Sequence, residues 1–195
     1  MGKRIVLIQG HPDPVGGHFG QALAAAYRQG AEQAGHEVRL IEVAALDVPM
    51  VRSKAQWDGG ELIPALDQAQ QTLAWGEHWV LFYPLWLGTM PALLKAFLEQ
   101  VLRPGFAVSR SGDALAWHKQ LRGRSARIVV TMGMPAMVYR WYFRAHSVKS
   151  LERNILGFCG IAPIRETLIG MVEAAGDARR RQWLARMRAL GARAR

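Results

Sequence analysis

The sequence holds one cysteine, Cys159, in 195 residues. A single thiol excludes an internal disulfide and any zinc site built on several thiolates. No apolar run approaches the roughly 20 residues a membrane helix needs. There is no GxxxxGK[ST], which argues against a nucleotide-hydrolysing P-loop, and no GxGxxG, the usual dinucleotide fingerprint. GxSxG is absent too, so no serine-hydrolase elbow is expected. His11-Pro12-Asp13 has no companion cluster at ligand spacing, and no metal site is expected. The opening MGKRIVLIQGHPDP carries basic and then apolar residues, but IVLI is short for a signal core and no small-residue cleavage site follows. It reads as a first strand, and a cytoplasmic protein is expected.

What is present is ordinary globular composition: 50% hydrophobic and 21% charged residues, enough for one domain across 1–195 with a sizeable core. The net charge of +10 is unevenly placed. Residues 176–195 hold seven Arg and one Asp, leaving +4 for all the rest. The excess therefore lies mostly on one C-terminal helix and tail. A solvated helix face is expected there rather than a nucleic-acid surface, and an anionic partner surface stays open.

Strand and helix patterns alternate along the chain. RIVLIQ (Arg4–Gln9) is a short apolar run, Phe19–Gly35 is Ala-rich and stops at a glycine, and HEVRLIEV (His36–Val43) alternates as a strand does. Residues 44–60 read as irregular and Glu61–Trp75 as a helix. His78–Tyr83 is the third strand, and Pro91–Leu102 a helix with proline in its first turn. Residues 103–123 read as a long loop, Ala126–Met132 as the fourth strand and 133–145 as another loop. Ser147–Gly157 is a helix, Ile161–Ile169 the fifth strand and Asp177–Leu190 the last helix. Five apolar strands separated by helices imply an α/β fold with a parallel sheet covered on both faces. Such sheets bind ligands beyond the carboxyl ends of their strands.

Three loops at that edge are chemically distinctive. GHPDPVGGHF leads into a helix N-terminus, where free N–H groups favour an anion such as phosphate. His11 and His18 could donate to its oxygens, and Gly16 and Gly17 could let the backbone approach; a capped turn with surface histidines is the alternative. PLWLGTM forms an apolar wall with backbone N–H groups available, suited to the face and heteroatoms of a flat, partly polar ring. A hydrophobic turn buried by a neighbouring subunit is the other reading, and both can hold. The third loop puts Thr131, Gly133, Tyr139, Trp141, Tyr142 and Phe143 near the same edge. Aromatics can stack on a planar substrate, and Tyr139 or His146 can donate a proton or hydrogen bond, with packing as the alternative for each aromatic. Cys159, in GFCGI, reads as a buried small hydrophobe.

These motifs, with FYPLWLGTMPALLKAFLEQVLRPGFA, TMGMPAMVYRW, LGFCGI and GDAR in order, resemble the flavodoxin-like NAD(P)H:quinone oxidoreductases, the DT-diaphorase family, in a bacterial short form. The resemblance runs from about Lys3 to Leu190. It implies a flavodoxin-like doubly wound sheet of five parallel strands in the order 2-1-3-4-5, helices on both faces, and a homodimer. It also implies a flavin, FMN or FAD, reduced by NADPH or NADH and reoxidised by a quinone-like acceptor in alternating half-reactions.

Carried over by motif, His11, His18, Phe19 and Gly20 lie at the flavin phosphate and ribityl chain. Leu85, Trp86, Leu87 and Gly88 lie along the ring, with Pro84 shaping the turn. Thr131, Met132, Gly133 and Met134 lie at the ring's pyrimidine edge, with contacts mainly from backbone. Arg179 matches an arginine at the distal part of FAD, and Tyr139 and His146 are the implied catalytic pair.

The chain departs from the family pattern in places. Thr131-Met132-Gly133-Met134 stands where the mammalian type has Thr-Thr-Gly-Gly, and Ala145 stands at the family's histidine position. The absence of the mammalian C-terminal extension favours FMN. Two other roles are expected alternatives within this fold. One is an ancillary regulatory flavoprotein of a potassium-efflux transporter, for which the Arg-rich helix would suit an acidic partner. The other is a one-electron flavodoxin carrier, a class that is usually strongly acidic, whereas this chain is basic.

Overall fold

The apolar runs pair as parallel strands because each can bury both of its faces. In the computed structural model, which describes residues 2–110 and 117–195, β1 (Arg4–Gln9) leads through a loop to α1 (Phe19–Gln33) and the edge strand β2 (Glu37–Glu42). A 3-10 turn (Val43–Ala45), α2 (Lys54–Gly59) and α3 (Pro64–Trp75) precede β3 (His78–Pro84) and α4 (Ala92–Val101). Then follow β4 (Val108–Arg110), β5 (Trp117–Lys119), β6 (Ser125–Thr131) and α5 (Ala136–Trp141). Helix α6 (His146–Ser150) continues as a π-helical stretch (Leu151–Leu156) into α7 (Gly157–Cys159), before β7 (Ile164–Ile169) and α8 (Asp177–Ala192).

The main sheet has five parallel strands in the order β2-β1-β3-β6-β7. Counting only these strands gives 2-1-3-4-5. The numbering differs because the segment 103–123, read as loop from the sequence, contains the antiparallel pair β4 and β5, with Val108 opposite Lys119. Residues 111–116 of that segment lie outside the described residues. Three-residue strands are too short to give a periodic signal. A second correction is α5 within 133–145: six residues, half of them β-branched or aromatic, give little helical signal. The last strand starts at Ile164: Ile161 N still donates to Leu156 O of the preceding helix, and the chain joins β6 through Ala162 N to Arg124 O and Ala126 N to Pro163 O.

Successive residues alternate between two cores, as strand geometry requires. Val6 and Ile8 of β1 with Trp79, Leu81 and Tyr83 of β3 face Leu66 and Leu73 of α3 and Leu94 and Phe97 of α4. Ile5, Leu7, Val80 and Phe82 face Leu23, Tyr27 and Ala31 of α1 and Met187 of α8. Helices thus cover both faces. Helix α8 docks on α1 backbone to backbone: a Cβ added to Gly30 would lie 2.0 Å from Arg188 O, and one added to Gly191 2.0 Å from Tyr27 O.

Replacing Gly30 by alanine sets two effects against each other. Helix propensity alone favours alanine by about 1 kcal/mol, but the clash with the α8 backbone requires the helices to separate, at a cost of about 3 kcal/mol. We expect Gly30→Ala to destabilise the protein by about 2 kcal/mol in urea unfolding. A gain in stability would show that the two helices do not meet this closely.

Candidate active site

Strands β3, β6 and β7 end in step, Pro84 opposite Thr131 and Thr131 opposite Ile169, while β1 ends two residues earlier with Gln9 opposite Phe82. Pairing then runs one residue further: Gly10 N donates to Phe82 O (2.7 Å), Leu85 N to Thr131 O (2.7 Å) and Met132 N to Ile169 O (2.9 Å). The three distinctive loops therefore leave the same edge side by side. Gly10 leaves room for the Leu94 side chain of α4, which would have to shift for an added Cβ lying 2.6 Å from its Cδ2.

In the first loop the imidazoles of His11 and His18 stack, with ring centroids 3.8 Å apart and planes 15° from parallel. Asp13 ties them down. Its backbone N–H donates to His11 Nδ1 (3.1 Å), and its carboxylate accepts from His18 Nε2 (2.8 Å) and Val15 N (2.9 Å). The Val15 N–H and then His18 hold the Asp13 carboxyl below its ordinary value. Burial, with help from His18 and against Asp13, lowers the pKa of His11, which favours the neutral ring. Because Nδ1 accepts from Asp13 N, the neutral ring carries its proton on Nε2, leaving a donor.

Beside these rings α1 begins at Phe19, and His18 N donates to Gln21 Oε1 (3.2 Å). Among the described residues the Phe19 and Gly20 N–H groups donate to no protein oxygen. A Cβ added at Gly17 or Gly20 would meet nothing within 4 Å. The result is an open cradle of backbone donors at the positive end of a fifteen-residue helix.

The second loop is a tight turn. Trp86 N donates to Thr89 O (2.9 Å) and Thr89 N to Trp86 O (3.0 Å), with Leu87 and Gly88 at φ of 46° and 80° between them. Both central residues at positive φ is the type I′ pattern, unusual for leucine. The backbone is less available than the sequence suggests, since the Leu85, Trp86 and Thr89 N–H groups are used internally; those of Leu87 and Gly88 have no partner among the described residues. Leu87 stands fully exposed and Trp86 half-exposed. Trp86 meets His11 edge-on at 5.7 Å, which joins the first two loops.

The third loop differs more from expectation. Met132 is buried in the core, its N–H donates to Ile169 O and its carbonyl accepts from Val172 N, while Met134 O accepts from Met171 N. Of the backbone contacts expected from Thr131 to Met134, the open donors are the N–H groups of Gly133 and Met134. Thr131 is buried at the strand end beside Pro84, and the Glu173 carboxylate lies over Gly133. Tyr139, on α5, is 2% exposed; its hydroxyl lies 2.6 Å from Ser147 Oγ and accepts from Val148 N (3.3 Å). It sits beneath the site surface rather than on it. His146 is exposed at the start of α6, directly after Arg144 and Ala145, both at positive φ.

Arg179 is exposed, and it is its neighbour Arg180 that reaches the site's rim. The Arg180 guanidinium donates to Ala175 O (2.8 Å) and Val172 O (3.2 Å) and lies 5.6 Å from the Phe19 ring. Two buried polar atoms beneath the edge lack protein partners: Gln9 Nε2, whose amide oxygen accepts from His11 N, and the Tyr83 hydroxyl. A polar residue closing an apolar strand was the available signal for Gln9. A cavity of about 480 Å³ is lined by Trp86 and Leu87 of the second loop, by the start of α4 and by Ser147 and Ser150 of α6.

The family described as having a flavodoxin-like fold matches residues 3–190. An uncharacterized NAD(P)H oxidoreductase of Haemophilus influenzae is 24% identical over 181 residues, 90% of this chain and 88% of that protein. The glutathione-regulated potassium-efflux system ancillary protein KefG of Serratia proteamaculans is 42% identical, but over 66 residues, 33% of each chain. Two solved structures are similar in fold. The NAD(P)H:quinone oxidoreductase of Methanothermobacter marburgensis superposes with a TM-score of 0.82 at 18% identity, covering 98% of each chain. An FMN-dependent NADH-azoreductase of Bacillus anthracis in complex with FMN does so with a TM-score of 0.79 at 15% identity, again over 98% of each.

Leu87 offers a direct test of strain at this site. Its side chain buries nothing, and a left-handed backbone costs a non-glycine residue roughly 1–2 kcal/mol. Leu87→Asn, which tolerates that conformation, is expected to stabilise the protein by about 0.5–1 kcal/mol in urea unfolding. No gain would mean that the turn is not strained.

Proposed function

Because the chain belongs to the family with the flavodoxin-like fold, we propose that it is a flavin-dependent NAD(P)H oxidoreductase that passes two electrons to a quinone or a similar flat electrophile. One observation carries this reading: an open helix N-terminus and an apolar turn meet at one sheet edge, joined through His11 and Trp86 at 5.7 Å. The first suits a phosphate and the second a flat ring. The names of the Haemophilus and Methanothermobacter proteins support the activity. The bound FMN of the Bacillus protein supports FMN, with FAD as the alternative.

The residues present fit such a group. The Phe19 and Gly20 N–H groups and His11 Nε2–H are donors for the phosphate, with His18 stacked behind His11. Gly20 keeps the cradle open, and Arg180 braces its rim through Val172 and Ala175, with Arg179 the more distant candidate. Trp86 and Leu87 would cover the ring, the Gly88 N–H has no protein partner among the described residues, and Gly133 and Met134 would offer N–H groups to the polar edge. When bound, the flavin supplies the hydride chemistry, accepting from NADPH or NADH and delivering to the acceptor in a separate half-reaction. Tyr139 and His146 serve the acceptor end, Tyr139 from below through Ser147.

Exposed Met137, Trp141, Tyr142 and Phe143, close to the turn that carries His146, support a homodimer in which a second copy covers this face. Among the described residues no helix is long and apolar enough to cross a membrane, and a cytoplasmic site of action fits a nicotinamide donor. The KefG match and the exposed arginines of α8 favour one further reading, an ancillary subunit docked on an acidic face of a potassium-efflux transporter. Co-purification with such a transporter would support it, and robust free-standing turnover would count against it.

Initial rates test the proposal. Varying NADPH at several benzoquinone concentrations should give parallel double-reciprocal lines, because one substrate leaves before the other enters. Intersecting lines would contradict alternating half-reactions. Tyr139→Phe should lower quinone turnover about fivefold, the weight of one hydrogen bond, while flavin stays bound. If flavin retention collapses and turnover per bound flavin is unchanged, the role of Tyr139 is wrong.

A further inference from the structure

The cavity that Trp86 lines is mostly apolar, with Leu87, Met90, Pro91 and Ile155 also in its wall. Its volume of about 480 Å³ lies within the range of small-molecule sites. Such sites orient their ligands with few polar groups. Here Lys95 pairs outward with Glu99, and Ser150 accepts weakly from Asn154 Nδ2 at 3.4 Å. Ser147 is different, because its hydroxyl is anchored from inside the protein by Tyr139.

The direction of that hydrogen bond can be worked out by counting donors. Tyr139 Oη accepts from Val148 N at 3.3 Å and lies 2.6 Å from Ser147 Oγ. The tyrosine has one proton to place, and among the described residues Ser147 Oγ is its one protein acceptor. If serine donated to tyrosine, the tyrosine proton would be buried without a partner, which costs roughly 1–3 kcal/mol. The satisfied arrangement has Tyr139 donating to Ser147. The serine proton is then free to point away from Tyr139, and Ser147 lines the cavity whereas Tyr139 does not.

The backbone fixes the same geometry. Arg144 and Ala145 both take positive φ, and they set the start of α6 so that Ser147 faces the cavity while Val148 is buried. The first-turn N–H of Val148, which the helix itself leaves without a partner, is satisfied by Tyr139 rather than by a capping side chain. One buried tyrosine thus both caps the helix and orients the serine.

We infer that Ser147 donates its hydroxyl proton to a carbonyl oxygen of the flat acceptor, and that Tyr139 is the positioning residue that aims it. This rests on the oxidoreductase reading for the identity of the acceptor. It also gives the cavity a preference: planar apolar molecules bearing a carbonyl bind better than hydrocarbons of the same shape.

Equilibrium dialysis tests this without turnover, using the purified oxidised protein with no NADPH present. The probes are 1,4-naphthoquinone and naphthalene. Ser147→Ala should weaken naphthoquinone binding about fivefold, the weight of one neutral hydrogen bond, and leave naphthalene unchanged. Ser147→Thr should keep the parent's preference. Tyr139→Phe should show the same loss, and the double variant no more than either single one, as expected of two residues acting through one bond. Equal naphthoquinone binding by Ser147→Ala and the parent would overturn the inference. So would a parallel loss of both probes, or failure of either probe to bind the parent. Additive losses in the double variant would remove the positioning role. Absence of reduction by NADPH would overturn the oxidoreductase reading instead, while the ratio of the two probes would still report on Ser147.

Discussion

The pairing of β1, β3 and β6 continues past the ends of the strands, through Gly10 to Phe82 and Leu85 to Thr131, and the site depends on that continuation. Parallel strands buried on both faces leave no surface for chemistry along their length. What they offer is a common edge where every strand ends pointing the same way. Because the register puts Gln9 opposite Phe82 and Pro84 opposite Thr131, three loops leave within a few residues of one another. The open N-terminus of α1, the apolar turn and the tyrosine helix are neighbours for this reason. Backbone contact between α1 and α8 through Gly30 and Gly191 then fixes the helix whose first turn forms the cradle.

Much of this was legible because burial writes itself into composition. IVLI, HWVLF and RIVVT are continuous apolar runs, as doubly covered strands require, and their loops announce themselves with Gly, Pro, His and Trp. Other features were not legible, each for a physical reason. Strands β4 and β5 are too short to show a period. Leucine normally avoids positive φ, so nothing in the residue itself marks Leu87 for a type I′ turn. Arg179 and Arg180 are adjacent on a helix and point about 100° apart, and a motif match cannot tell which one faces Phe19. Tyrosine has an apolar body and a polar tip, so Tyr139 could be read as a surface donor when its whole ring is buried.

The site divides its work between fixed and exposed parts. Asp13 locks the paired histidines, and Tyr139 locks Ser147, so the polar groups are held before any ligand arrives. Preorganisation of this kind lowers the ordering cost of binding. The exposed parts are apolar: Trp86, Leu87, Trp141 and Tyr142 spread around the same edge. An edge that is rigid and polar beneath, and apolar and open above, suits a bound flat cofactor that exchanges one flat partner for another.

The most direct measurement is the visible spectrum of the purified protein, followed through anaerobic addition of NADPH and then of benzoquinone. The account predicts a yellow protein, or one that takes up added FMN, whose absorption bleaches with NADPH and returns with the quinone. A colourless protein that binds neither FMN nor FAD would contradict it and leave the fold as a scaffold for binding.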